Sequence, residues 1–434
     1  MKQSRRTFLK TSAIGAAGLA IGGRGMSSKS YANIIGSNDR INVALIGMGR
    51  RLEAFVVPIS KKENNARLTY LCDVMEDRRV KGAERFSKVL DYTPKLENDV
   101  RRIHDAKDVD VLIHATPDHW HAPGACYAVQ AGKHVYVEKP CSHNPREGEL
   151  LIEIQKKHNK VIQVGNQYRS SKKTIEIINE IHNGIIGETY ESICFYTAGR
   201  GEVPVAKLAP VPKGLDWDLF QGPAPRQKYM DNTWDYNWHW YGWAFGTAES
   251  GNNMIHRFDL ARWAMQLDFP ERIDAVASKN HFIDDGWTVY DTMSTTIRFA
   301  NNKVIKGDCK SRNGYKTYGA ANGVVVFGSK GSVFLSGTGY KLYDREGKLI
   351  KEDDSNVDLV DLHFNNFLET IRGKEKVTSP IDEAEKSTLL CHLSNIAYRT
   401  GRNFDINTNN GQALDNEALK LWGREYEPGW EIKV

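Results

Sequence analysis

The stretch I-N-V-A-L-I-G-M-G-R-R-L, Ile41 to Leu52, decides how the first half of this chain is read. Ile41 to Ile46 is a short run rich in β-branched residues and closed by a glycine, the pattern of a buried parallel strand. Gly47 and Gly49 then match the G-x-G turn that brings backbone N–H groups close to a pyrophosphate. Leu52 stands where a third glycine would complete the pattern, so the neighbouring sequence has to support the reading.

It does. Leu68 to Cys72 (L-T-Y-L-C) reads as a second strand closed by Asp73, 26 residues after Gly47. An acid there suits the ribose 2′-hydroxyl of NAD and repels the 2′-phosphate of NADP. Arg78 and Arg79 pull the other way, and Asp73 could instead cap the following helix. Val109 to Ala115 precedes T-P-D-H-W-H, and Lys133 to Val137 precedes E-K-P, with a helical stretch from Ala122 to a stop at Gly132 between them. Alternating strands and helices predict a parallel sheet that binds its ligand at the strand C-termini. Lys139, followed by proline at such an end, holds a catalytic position.

G-M-G-R, A-T-P-D-H-W-H and V-E-K-P, in this order, resemble the glucose-fructose oxidoreductase / inositol dehydrogenase / MocA family. The likeness continues in V-G-N-Q-Y-R (164–169), L-D-W-D-L-F-Q-G-P-A-P (215–225) and V-F-G-S-K-G-S-V (326–333). It implies an α/β protein with a Rossmann dinucleotide-binding domain over residues 38–165. An α/β domain with a large, mostly antiparallel sheet would follow over 166–434, binding substrate and joining copies into a homo-oligomer, dimer or tetramer. A last helix near Glu383 to Arg399 would pack back on the first domain. The cofactor-binding set is then Gly47, Gly49, Arg50, Asp73, Thr116, Pro117, His119, Glu138, Lys139 and Gln167.

The second half supplies candidates for the substrate. Five tryptophans lie between Trp217 and Trp243, the others being Trp234, Trp238 and Trp240. They are either core or, interleaved with Asp235, Asn237 and His239, a surface for stacking a sugar while its hydroxyls are hydrogen-bonded. In G-N-N-M-I-H-R-F-D-L-A-R-W, Asn252, His256, Asp259 and Trp263 share one helical face. The resembled family pairs its E-K-P lysine with an Asp and a His four residues apart on such a helix. Lys139 and His256 match, while Asn252 stands in the Asp position and cannot take a proton. The expected catalytic set is Lys139 and His256, with Asp259 orienting the base, unless His256 is a hydrogen-bonded core histidine. The expected substrate contacts are Lys139, Arg169, Trp238, His239, Asn252 and His256. His239, His256 and Asp259 lack metal-ligand spacing, so no metal is expected.

These residues suit an oxidoreductase acting on the hydroxyl of a carbohydrate, with tightly bound NAD preferred to NADP. Hydride leaves carbon while Lys139 steadies the alkoxide and His256 accepts the proton. A glycosidase cycling through oxidation, elimination and reduction on bound NAD ranks second, because a G-H-G-G pattern associated with that group is absent. A non-catalytic sugar-binding relative ranks third.

The remaining sequence sets bounds. A net charge of +5 without a basic run gives no nucleic-acid surface. The six cysteines form no C-x-x-C pair, and no stretch of the mature chain is long and apolar enough to span a bilayer. S-R-R-T-F-L-K (4–10), the weakly apolar run from Thr11 to Gly23 and Ser30-Tyr31-Ala32 have the order of a twin-arginine export signal over residues 1–32. A periplasmic or cell-envelope location follows as an expectation.

Overall fold

Two sheets meet along one cleft, and nearly every candidate residue lies where they meet. The structure is a computed structural model that describes residues 39–434; the export-signal reading falls outside the described residues. The described strands and α-helices of the first half alternate: β1 Ile41–Ile46, α1 Leu52–Ser60, β2 Ala66–Cys72, α2 Glu76–Ser87, β3 Lys95–Glu97, α3 Val100–His104, β4 Val111–His114, α4 Asp118–Gln130, β5 His134–Val137, α5 Pro145–His158 and β6 Ile162–Val164. The six strands lie in the order β3-β2-β1-β4-β5-β6, with parallel pairing between β1 and β4 and between β4 and β5. The order turns outward in both directions from β1 and β4, and a ligand crevice opens at such a switch point. β4 and most of β1 and β5 are fully buried, as strands covered by helices on both faces must be.

The second half contributes α6 Lys172–His182, β7 Thr189–Thr197, α7 Trp217–Gln221, α8 Ile255–Met265, strands β8 Arg272–Ser278 to β14 Leu349–Asp353, then α9 Leu359–Ile371, α10 Ile381–Thr400 and β15 Phe404–Asp405. With β11 at Asn322–Gly328, β12 at Gly331–Leu335 and β13 at Tyr340–Asp344, its nine-stranded sheet runs β14-β13-β12-β11-β7-β10-β9-β8-β15. Its pairs are antiparallel apart from β7 with β10 (Val304–Lys310), because the chain returns to β7's side through α8 and β9 (Thr292–Arg298). β9 and β10 alternate in burial along their length, so one face packs and the other faces outward.

Residues Asn42–Val434 form one compact unit. α10 lies against α5 and β6 of the first sheet's layer and against α8 and β8 of the second. A 20-residue helix buried along most of its length serves as a common wall for both. The chain end also returns: Arg424 pairs with Glu147 of α5 at 2.7 Å, and the Trp430 ring meets Trp120 of α4 edge-on at 5.2 Å.

Candidate active site

The glycine turn is built for close backbone approach. Gly47 has φ +89°, and a Cβ there would lie 2.5 Å from the carbonyl oxygen of Ala115. Only glycine fits both demands. The Gly47 N–H donates to the Cys72 carbonyl at 2.8 Å, tying the turn to the end of β2. Asp73, next in the chain, accepts from the Met48 N–H at 2.7 Å and the Met75 N–H at 2.9 Å. It therefore braces the glycine loop as well as lining the cleft. Burial raises its carboxyl above the usual range, while Arg78 and these two N–H groups pull it back.

A cleft of about 510 Å³ runs from this loop to the second sheet. Gly47, Gly49, Arg50, Asp73, Thr116, Pro117, Glu138, Lys139 and Gln167 line one wall, and Trp238, His239, Asn252 and His256 line the other. The structure thus gathers most of the expected residues around one space. The cofactor wall carries buried polar atoms with no protein partner, Thr116 Oγ1 and Gln167 Oε1. A glycine cradle, an acid at the end of β2 and such orphaned atoms fit a dinucleotide.

Lys139 sits two residues beyond β5, half-buried near Glu138, Asp118 and Glu249; desolvation holds its ammonium below the ordinary lysine range. Its Nζ donates to the backbone carbonyl of Asn252. The contact of residue 252 with the lysine is therefore made by the main chain, through a π-helical turn, Ser250–Met254, that leads into α8. The Asn252 amide instead donates to Glu249 at 3.1 Å. His256 follows in the first turn of α8, its Nδ1 buried without a partner. Burial, then the Lys139 charge, push its imidazolium well below the normal range, so the ring is neutral. A neutral ring with an unoccupied nitrogen can accept a proton.

Three expected residues belong elsewhere. Asp259 does not orient His256: its oxygens accept from Arg169 Nε and Nη2, both at 2.8 Å, and from Ser387 Oγ at 2.7 Å. Arg169, expected at the substrate, is the buried partner in that bidentate pair and ties the segment after β6 to α8. His119, expected at the cofactor, is fully buried behind the wall, with Nε2 2.8 Å from the Phe220 carbonyl oxygen and its ring 4.8 Å from Phe245. Burial lowers its pKa to about 3. Periodicity gives a face of a helix, but not which packed neighbour takes each position.

The tryptophan-rich stretch divides. Trp234 and Trp238 line the cleft. Trp240 stacks on Trp287 at 4.0 Å, and Trp217 on Phe220 at 5.0 Å, both in the core. Trp243 faces the Arg399 guanidinium at 5.0 Å. The stretch crosses the cleft as a strap: Arg50 lies 3.8 Å over the Tyr236 ring, and Arg78 lies 4.5 Å over Trp234 and pairs with Asp235. Sequence reading missed Arg51, ion-paired to Glu138 at 2.6 Å, and the buried Glu249, paired to Arg200 at 2.9 Å. It also missed Tyr168, Tyr196, Asn253, Arg257 and Asn322, which line the same cleft. Only the neighbourhood of V-G-N-Q-Y-R and of His256 hinted at any of them.

The cysteines are all free and buried. Among the described residues, no group of three metal-ligating side chains gathers and no helix is long and apolar enough to cross a membrane.

Residues 41–166 match the model of an oxidoreductase family with an NAD-binding Rossmann fold, and residues 223–334 match the C-terminal domain of the same family. The chain belongs to the Gfo/Idh/MocA family. A similar relative is a glycosyl hydrolase family 109 protein of Saccharopolyspora erythraea, 28% identical over an alignment of 254 positions that covers 52% of this chain and 55% of the relative. The chain spans about half the length of the curated relatives it matches, 55% and 44% for the first two. Levoglucosan dehydrogenase in complex with NADH and levoglucosan is similar in fold: TM-score 0.65, 19% identity, 84% of this chain and 99% of that one. So is the aldose-aldose oxidoreductase of Caulobacter crescentus, with TM-score 0.62, 20% identity, 85% of this chain and all of the other. The Gfo/Idh/MocA fold therefore accounts for both sheets.

Proposed function

We propose that this protein is an NAD-dependent oxidoreductase acting on a hydroxyl of a sugar or sugar derivative. The observation that carries the reading is the convergence of Lys139 and His256 on the same cleft as the Gly47–Gly49 turn. Gly47, Gly49, Arg50, Asp73, Thr116, Glu138 and Gln167 would hold the dinucleotide, with Asp73 favouring NAD over NADP. The nicotinamide, when bound, supplies the hydride acceptor for the substrate's C–H bond. Lys139 holds the substrate oxygen through Nζ and steadies its developing negative charge. Neutral His256 takes the hydroxyl proton on a ring nitrogen as the C–H hydride leaves, and a carbonyl remains. Trp238 offers a face for the sugar ring, and Asn252 and His239 line the same wall.

The names of the relatives favour a second reading: a glycosidase in which oxidation acidifies the neighbouring C–H, elimination breaks the glycosidic bond, and reduction restores the sugar. The same Lys139 and His256 would serve each step. One experiment separates the two. Purified protein is mixed with sugars and with aryl glycosides while NADH absorbance and aryl release are followed. NADH accumulation without aryl release supports the oxidoreductase, aryl release without net NADH supports the glycosidase, and neither signal from a folded, NAD-loaded protein overturns both.

We also propose, from residues 1–32, export through the twin-arginine route to the periplasm or cell envelope. A domain boundary near residues 165–166 and assembly into a homo-oligomer through the outward face of the large sheet complete this reading. Export removes the protein from the cytoplasmic NAD pool, so the cofactor would travel bound, and the strap across the cleft supports its retention. NAD released on denaturing freshly purified protein should then be near stoichiometric. Substoichiometric NAD, with activity that depends on added NAD, would remove both export with cofactor and tight binding.

A further inference from the structure

Four arginines among the described residues are buried to nine-tenths or more: Arg169, Arg257, Arg262 and Arg312. Three have a carboxylate against the guanidinium: Asp259 for Arg169, Glu383 for Arg262 and Asp285 for Arg312. Arg257 has none. Its Nη1 donates to the Ser336 carbonyl and its Nη2 to the Tyr168 hydroxyl, both at 3.1 Å, and its Nε has no partner. Both acceptors are neutral. A guanidinium keeps its charge in proteins, and a buried charge without a counter-ion is costly.

Arg257 is also the only one of the four that lines the cleft. Two other cleft arginines are neutralised within the protein, Arg51 by Glu138 and Arg78 by Asp235. Arg50 is not ion-paired among the described residues, and it directly follows the glycine turn, where a dinucleotide brings its phosphates. Arg257 lines this cleft from the opposite wall, and Tyr196, Asn253 and Asn322 line it too. Between it and His256 stands the Tyr168 ring, 5.1 Å from the imidazole and 5.0 Å from the Arg257 guanidinium carbon. A negative group held at Arg257 would thus lie one aromatic ring from the base.

We infer that the substrate brings the missing charge: it is a sugar carrying a carboxylate, which Arg257 recognises. This rests on the oxidoreductase reading and narrows its substrate class to sugar acids. A carboxylate is the planar acceptor a guanidinium matches best. The neutral side chains of Tyr196, Asn253 and Asn322 are left for hydroxyls.

The test uses the purified, NAD-loaded protein and matched probes: D-glucose against D-glucuronate, D-galactose against D-galacturonate, and D-glucose 6-phosphate. Binding is read from tryptophan fluorescence and turnover from NADH absorbance. The uronates should bind ~10- to ~100-fold more tightly than their parent sugars, the range of one charge-assisted hydrogen-bonded contact. Arg257→Gln should erase that margin and Arg257→Lys should keep part of it. Equal binding of neutral and acidic sugars by the unaltered protein overturns the inference, as does tighter binding of the sugar phosphate. Equal loss of both sugar types in a folded Arg257→Gln protein also overturns it. If that variant fails to fold, the panel on the unaltered protein still decides. Uronate-selective binding without NADH formation would sustain the inference and sink the oxidoreductase reading; turnover of neutral sugars without an acid preference would do the reverse.

Discussion

The two walls of the cleft are built on different principles. The cofactor wall comes from consecutive strand ends of one parallel sheet: Gly47 after β1, Asp73 after β2, Thr116 after β4 and Lys139 after β5. Each residue is placed by the end of its own strand or the turn that follows it. The opposite wall draws on Tyr168, Tyr196, the strap around Trp238, the turn into α8 and Asn322 at the start of β11. Those segments meet only because α8 packs on the large sheet and α10 backs both layers. A wall made from one repeated motif tolerates sequence drift around it; a wall assembled from distant segments can change its ligand through single substitutions.

The sharpest test of this contrast is the residue where the walls touch. Lys139→Ala should lower turnover by about 10³-fold, the scale of a lost proton-handling and charge-stabilising group, with circular dichroism and melting unchanged. Normal turnover in the folded variant would place the chemistry on the substrate wall alone.

The pH profile probes the same contact. Burial keeps His256 neutral, so kcat should show no inflection near the ordinary histidine value of about 6.5, and its acid limb should lie well below that. Stability follows with a definite sign. The unfolded chain protonates His256 and His239 near pH 6.5 while the folded state resists, so the unfolded state binds more protons as pH falls. Their contribution to stability is intact above that pH and is lost below it. Asp73 and Asp118, raised by burial, act in the opposite direction. Glu385, pushed up by burial to about 8, also acts in the opposite direction across this window, so the check compares the unaltered protein with His256→Gln. A fall in melting temperature between pH 7 and pH 5 that is no smaller in the variant would contradict the neutral His256.

Gly47→Ala should break the cofactor wall locally. The positive φ alone costs roughly 1–3 kcal/mol for a residue with a Cβ, and the carbonyl of Ala115 blocks the added methyl. Loss of bound NAD measured after gel filtration checks it, and full NAD content would show that the loop relaxes. Asp73→Ala should shrink the preference for NAD over NADP by about tenfold, the worth of one charge-assisted hydrogen bond. The same change removes an acceptor from the Met48 and Met75 N–H groups, so melting should also fall. An unchanged NAD/NADP ratio with lower melting would leave Asp73 a brace of the loop and nothing more. The smallest effect belongs to the strap. Tyr236→Ala removes the ring under Arg50 and should speed NAD loss about two- to fivefold, as expected for one exposed cation–π contact.

Local pattern made the first sheet, its switch-point crevice, the glycine turn and Lys139 legible. Strand composition, a glycine at a positive φ and a lysine at a strand end are each decided within a few residues. His256 was legible through its spacing to residue 252. The same spacing misplaced Asp259, because a helical face says nothing about the Arg169 that waits on another segment. The tryptophan stretch shows the limit again: Trp238 reaches the cleft and Trp240 reaches Trp287, two residues apart in a segment with no regular period.

By itself, then, the sequence determined what is set by backbone conformation and short-range periodicity: the parallel nucleotide fold, the glycine turn and the positions of Lys139 and His256. Only the tertiary structure decided which buried charges have partners. Asp259, Glu249 and Glu383 are each claimed by an arginine from another segment, and Arg257 is left without one. Charge compensation acts across space over a few ångströms while the paired residues stand up to 121 positions apart along the chain, so no reading of neighbours in sequence can supply it.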